Sequence, residues 1–287
     1  MTPFNSVLVA TDFSVDGDNA VRRAARVAHE HGARLHILHV LEAASRQPLR
    51  DWFFPAIDVD REAAQARSAL RQLAVEIAGT CDLAPSVELA TGDPFEALMR
   101  ASERADLVVL GSRGCGRPAG LRIGTSVDRV LRRCRRPVLV VKTAVAQPYR
   151  RVLLPIDFTA SSDAAIRVAA RMQREADLHV LHALDSRRES VLRDADVPEH
   201  IIRETRLMEE DGTKARMRRK LAGLGLDGMR IHCALTHGCV VRSTLRHAQA
   251  IGADLIVTGR QRRSTAAEFL LGSVSRRILR ESACDTL

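Results

Sequence analysis

The chain has 287 residues, 46% hydrophobic and 28% charged, with a formal net charge of +9. That length predicts two domains of ordinary size, each long enough to bury a core, and the balance is that of a soluble globular protein. No apolar run approaches the roughly 18 residues of a membrane-spanning helix, and the opening MTPFNSVLVATDFS has neither the basic segment nor the long apolar region of a secretory leader, so a cytoplasmic location is expected.

The first strand is predicted at Val7-Leu8-Val9-Ala10, running into Thr11-Asp12-Phe13-Ser14. A helix follows over about Asp16 to His31, with Ala20, Ala24, Val27 and Ala28 on one face and Gly32 as its stop. A strand at Leu35 to Leu41, a proline-bearing loop, a helix from about Asp60 to Ala78 and a strand at Pro85 to Ala90 come next. The loop Thr91-Gly92-Asp93-Pro94 leads to a helix ending near Arg104, and then to the strand Leu107 to Leu110. After a glycine-rich stretch, a further helix and the strand Pro137-Val138-Leu139-Val140-Val141 close the first half. Short apolar strands alternating with amphipathic helices predict an α/β fold with a parallel sheet covered on both faces.

The pattern then repeats. Arg151 to Thr159 echoes Ser6 to Ser14, so that Asp157 stands where Asp12 does. Leu178-His179-Val180-Leu181-His182-Ala183 echoes Leu35 to Val40, Ala253 to Gly259 echoes Ala105 to Gly111, and Gly272-Ser273 echoes Gly124-Thr125. A repeat of this length means tandem domains, expected at 1–145 and 149–287, with a short linker that carries Pro148. The halves differ in two ways. Arg262 stands where the first half has Gly114, and the chain ends at Cys284-Asp285-Thr286-Leu287 where the first half continues into its fifth strand, so the second half is expected to lack that strand.

The stretch from Gly111 to Thr125, GSRGCGRPAGLRIGT, lies between a strand and a helix. Glycines in that setting let backbone N–H groups approach an anion, and a helix start adds partial positive charge. Neither the Walker nor the dinucleotide spacing is present. What remains is Gly111, two residues, Gly114, nine residues, Gly124 and then Thr125.

That spacing, the strand ending in Asp12-Phe13-Ser14 or Asp157-Phe158-Thr159, and the closing Pro137 to Val141 together resemble the universal stress protein family over nearly the whole chain. The resemblance implies tandem open five-stranded parallel sheets of order 3-2-1-4-5, flanked by helices, with ATP outside the carboxyl ends of strands one and four. It implies that Asp12 and the backbone near Val40 hold the adenosine end. Gly111, Arg113 and Gly114 line ribose and phosphates, and Gly124, Thr125, Ser126 and Val127 supply donors at the helix start. The matching second-half positions are Asp157, Ala183, Gly259, Gln261, Arg262, Gly272, Ser273, Val274 and Ser275. A side chain at Arg262 obstructs a phosphate on that loop or pairs with it, so ATP, with Mg²⁺ or Mn²⁺, is expected in the first half.

Other features carry blander readings. Asp12 can cap the turn that follows it, and Thr125 and Ser273 can be plain helix caps. The six cysteines are scattered without a Cys-x-x-Cys pair and read as thiols. His232, Cys233, His237 and Cys239 invite a zinc reading, but a strand over 229–235 would point His232 and Cys233 to opposite faces, and no metal site is expected. Trp52, Phe53 and Phe54 gather in one loop, as a cover for the nucleotide, a partner surface or local packing, and the arginines of 132–136 and 216–220 read as solvated helix faces.

The positive charge is nearly all arginine and the aromatics are few, which argues against nucleic acid. No constellation of acid, base and metal ligands predicts catalysis, beyond weak hydrolysis or self-phosphorylation on Ser112, Ser126 or Thr125. The expected function is a nucleotide-dependent stress-response regulator, with a nucleotide-free interaction scaffold or a slow ATPase as alternatives. The unmatched Val138 to Val141 edge predicts a homodimer.

Overall fold

A computed structural model describes residues 2–42, 59–113, 124–144, 147–185, 187–262, 269–270 and 272–287. The chain divides into two compact units: Thr2–Gln147 with Arg262–Leu271 and Leu287, and Pro148–Gln261 with Gly272–Thr286. The first unit runs β1 (Ser6–Ala10), α1 (Val15–His31), β2 (Arg34–Leu41), α2 (Val59–Cys81), β3 (Ser86–Thr91), α3 (Pro94–Ser102), β4 (Leu107–Gly111), α4 (Thr125–Arg133) and β5 (Val138–Val141). Its strands lie parallel in the order β3-β2-β1-β4-β5. The second half runs β6 (Arg151–Ile156), α5 (Ala160–Met172), β7 (Asp177–Leu184), α6 (Arg187–Asp194), α7 (Glu199–Ala222), β8 (Ile231–His237), α8 (Val240–Ile251), β9 (Leu255–Ile256), β10 (Gln261–Arg262), β11 (Phe269–Leu270), α9 (Ser273–Glu281) and β12 (Asp285–Thr286). Its sheet repeats the order, as β8-β7-β6-β9-β12, again parallel.

The first-unit strands are continuously apolar because both faces are covered. Val7, Leu8 and Val9 are at most 1% exposed, and Leu107, Val108 and Val109 are wholly buried. Helix α1 starts where the Ser14 hydroxyl accepts from the Gly17 N–H and ends at Gly32 in the left-handed region (φ 61°). In the second unit Leu153, Leu181, Val241, Ile256 and Ile278 form one buried cluster.

One expectation is overturned. The second unit has its fifth strand, two residues long, with Asp285 and Thr286 in register with Leu255 and Ile256 of β9. Its two residues are polar yet buried, so apolar periodicity is blind to it. The Tyr149 hydroxyl donates to Asp285 Oδ2 at 2.7 Å, and the Thr286 hydroxyl lies 3.1 Å from that of Ser282. Burial of the two polar side chains is thereby compensated. Val138–Val141 therefore has a counterpart in the second unit, and the missing strand from which a homodimer was expected is present. Among the described residues no helix is long and apolar enough to cross a membrane.

Where β4 meets α1, the backbones touch. A Cβ on Gly111 would lie 2.7 Å from the carbonyl carbon and oxygen of Asp16, and one on Gly259 would lie 2.6 Å from the Ser161 carbonyl oxygen. Gly111→Ala is therefore expected to destabilise the protein by about 1–3 kcal/mol through overpacking. Gly212→Ala, in the open interior of α7 with nothing within 4 Å, should stabilise it by about 0.5–1 kcal/mol. Urea unfolding of both variants checks the pair of signs.

Candidate functional site

At the carboxyl end of β1 the chain turns sharply. Phe13 has φ 59°, in the left-handed region, and its second-unit counterpart Phe158 has φ 63°. Each turn is fastened by the preceding aspartate. Asp12 Oδ1 accepts from the backbone N–H of Ser14 at 3.1 Å and from its hydroxyl at 2.5 Å, and Asp157 Oδ1 accepts from the N–H and hydroxyl of Thr159 at the same distances. The turn-capping reading of Asp12 thus holds alongside the site reading.

The turn brings each phenylalanine onto a histidine from the neighbouring strand. Phe13 and His39 have ring centroids 4.4 Å apart, and Phe158 and His182 are 4.5 Å apart. His39 Nδ1 lies 2.8 Å from the Thr11 carbonyl oxygen, and His182 Nδ1 lies 2.8 Å from that of Ile156. Of these, His39 lines the first site and His182 the second, each with its phenylalanine packed behind it, and neither histidine was expected there from the sequence. Their signal was the repeated His-Val or His-Ala at the end of the second strand.

A cleft of about 630 Å³ opens at the carboxyl ends of β1, β2 and β4 in the first unit. Asp12, Val40, Gly111, Arg113, Gly124, Ser126 and Val127 all line it. Gly124 is the N-cap of α4 and has no side chain to offer it, while its own N–H donates to the Ser112 carbonyl at 3.0 Å. Thr125 is the first residue of α4, and only its backbone is described. Gly114 and the aromatics at 52–54 lie outside the described residues. Phe95 and Leu98 of α3 close the cleft from the other side, with the Arg129 guanidinium 4.3 Å over the Phe95 ring.

Arg113 lines the cleft while engaged elsewhere. Its Nε donates to Asp16 Oδ2 at 3.0 Å, and the Ser112 hydroxyl donates to the same oxygen at 2.8 Å. Burial pushes the Asp16 carboxyl up, but hydrogen bonds from Arg113 and Ser112, with the charge of Arg113, more than offset this and hold it below the usual carboxylate range.

The second unit has a smaller pocket, about 260 Å³, lined by Asp157, Ala183, Gly259, Gly272, Ser273, Val274 and Ser275. Gly17 of the first unit is here Ser162, whose hydroxyl donates to Asp157 Oδ1 at 2.6 Å. Burial raises the Asp157 carboxyl, and the hydrogen bonds from Ser162 and Thr159 bring it below its ordinary value. Arg262 falls on β10 and only its backbone is described. On the helix face at 216–220, Arg216, Arg218 and Arg219 are exposed as expected, with the Arg216 guanidinium 4.2 Å over the Phe158 ring, while Lys220 is half-buried, donates to the Phe158 carbonyl and pairs with Asp163 at 2.7 Å.

The histidines and cysteines of the second half separate. His237 pairs with Glu210 at 3.0 Å and His232 stacks on His179. Among the described residues no group of three or more His, Cys, Asp or Glu side chains is placed to hold a metal ion.

Two open parallel sheets of this order, each with a cleft outside the carboxyl ends of its first and fourth strands, define a doubly wound α/β domain present twice. The model of the universal stress protein family matches residues 3–142 and again 148–287, and the chain belongs to that family. A universal stress protein of Mycolicibacterium smegmatis is 28% identical over 285 residues, covering 95% of this chain and 92% of that one. A Thermus aquaticus universal stress protein is 32% identical over 143 residues, 48% of this chain and 99% of its own length. In fold, the crystal structure of a universal stress protein from Archaeoglobus fulgidus agrees with a TM-score of 0.72 at 22% identity, over 98% of this chain and 97% of that one.

The Asp16 pairing fixes a pH dependence. A carboxyl held below its unfolded value near 3.9 binds fewer protons when folded, so its stabilisation is present above that value and is lost as pH falls through the folded one. Wild type and Asp16→Asn should differ in unfolding midpoint at pH 7 and converge as the pH is lowered below about 3.9.

Proposed function

We propose that the first unit binds ATP in the cleft between β1, β2 and β4 and that the protein acts as a stress-response regulator whose partner contacts depend on that nucleotide. The observation that carries the reading is the contrast between the two clefts. The first, at about 630 Å³, falls within the roughly 300–1,000 Å³ of small-molecule sites. The second, at about 260 Å³, falls below it.

The residues of the first cleft fit a nucleotide. A Cβ on Gly17 would stand 2.9 Å from both Asp12 Oδ1 and Thr11 Oγ1, so glycine there leaves the Asp12 carboxylate uncrowded on that side. Ser162 fills the same place in the second unit and takes Asp157 for itself. In this reading Asp12 and the backbone of Val40 hold the adenosine end. The α4 start, capped by Gly124, receives the phosphates on the N–H groups of Thr125, Ser126 and Val127 and on its partial positive charge, beside Gly111. Arg113 can turn from Asp16 to a phosphate at small cost, because its side chain is 50% exposed and the pair is worth about 1 kcal/mol or less at a surface. A Mg²⁺ or Mn²⁺ ion would be held largely through phosphate oxygens, as such ions are where protein ligands are few.

Calorimetric titration of the nucleotide-stripped protein with ATP and Mg²⁺ tests the proposal. One site per chain is expected, weakened at least about tenfold by Asp12→Ala, on the scale of a lost hydrogen bond to a charged group, and unchanged by Asp157→Ala. No binding by wild type, or equal loss in both variants, would contradict it.

A further inference from the structure

Helix α3 separates two cavities of the first unit. Its amino-terminal residues Phe95 and Leu98 face the cleft described above. Another of its faces, with Ala97, Arg100 and Ala101 and the following Arg104, covers a second cavity of about 390 Å³ against the amino ends of β1 and β2 and the Glu88–Ala90 part of β3. The floor is apolar, formed by Val7 and Leu8, each 1% exposed, with Ala90 and Ala105.

Charge at this cavity is uneven. His36 is held by both ring nitrogens, Nδ1 at 2.8 Å from the Ser86 hydroxyl and Nε2 at 2.9 Å from Glu88 Oε2, so the one carboxylate in the lining is engaged. Arg100 and Arg104 make no ion pair among the described residues. Two uncompensated guanidiniums over an apolar floor suit an anion carried on an apolar body, since guanidinium matches the planar fork of a carboxylate. The lining belongs to this unit rather than to the fold. At the matching place in the second unit, His179 stacks on His232 with centroids 4.7 Å apart and meets His247 edge-on at 6.3 Å.

The geometry points to a second ligand site here, for a small organic acid whose carboxylate meets Arg100 and Arg104 and whose hydrocarbon lies on Leu8, Ala90 and Ala97. This inference is independent of what the larger cleft binds. The test is titration of isotope-labelled protein with benzoate, followed by amide shifts in nuclear magnetic resonance. Saturable shifts are expected on Ser6–Leu8 and on 97–105. They should weaken about tenfold in the double variant Arg100→Gln, Arg104→Gln, which loses charge-assisted hydrogen bonds, and vanish in Ala101→Leu, whose added carbons enter the cavity. They should persist in Asp12→Ala, and inorganic phosphate should not reproduce them. Shifts that fail to saturate, scatter over the chain, survive the double arginine variant unchanged, disappear in Asp12→Ala or appear equally with phosphate would overturn the inference.

Discussion

The close approach of β4 to the first turn of α1 is the constraint on which each site depends. Gly111 lies against the Asp16 carbonyl and Gly259 against that of Ser161, at distances no Cβ tolerates. That contact brings the carboxyl end of the fourth strand beside the turn after the first, where Asp12 or Asp157 fastens a left-handed phenylalanine. The carboxylate, the strand-end glycine and the start of the following helix thereby share one cleft. Gly111 thus has a packing reason to be glycine that precedes any ligand, and the phosphate argument from its spacing rests on Gly124 and the α4 start.

The two units keep this junction and vary what surrounds it. In the first, Gly17 leaves room beside Asp12, and Asp16 draws in Ser112 and Arg113. In the second, Ser161 and Ser162 take the places of Asp16 and Gly17, the Ser162 hydroxyl binds Asp157, and Arg216 and Lys220 close on Phe158. These contacts add a hydroxyl to Asp157 and two cationic side chains to Phe158. The sequence difference at Arg262 is therefore one of several, and the one at position 17 acts directly on the carboxylate.

Much of this was legible in the sequence, for physical reasons. Strands buried on both faces read as apolar runs, so β1, β4 and β5 stand out, and Gly32 marks the end of α1 because only a left-handed residue closes it there. The repeat then carried the strand order into the second half. What escaped was set by tertiary contact. β12 is polar and buried, held by Tyr149 and Ser282, so no apolar pattern announces it. The Arg113–Asp16 pair joins residues far apart in the chain. The packing of Phe13 on His39 depends on a backbone turn that no spacing rule reveals.

The most direct test of the account is where a nucleotide attaches. Photolabelling the full chain with an azido-adenine analogue of ATP, followed by peptide mapping, should place the label on the first unit, in peptides carrying Leu38 to Glu42, beside the proposed adenosine end. Label recovered equally from the matching peptide around His182 and Ala183, or none displaced by unmodified ATP, would contradict the claim that the first cleft is the one that binds.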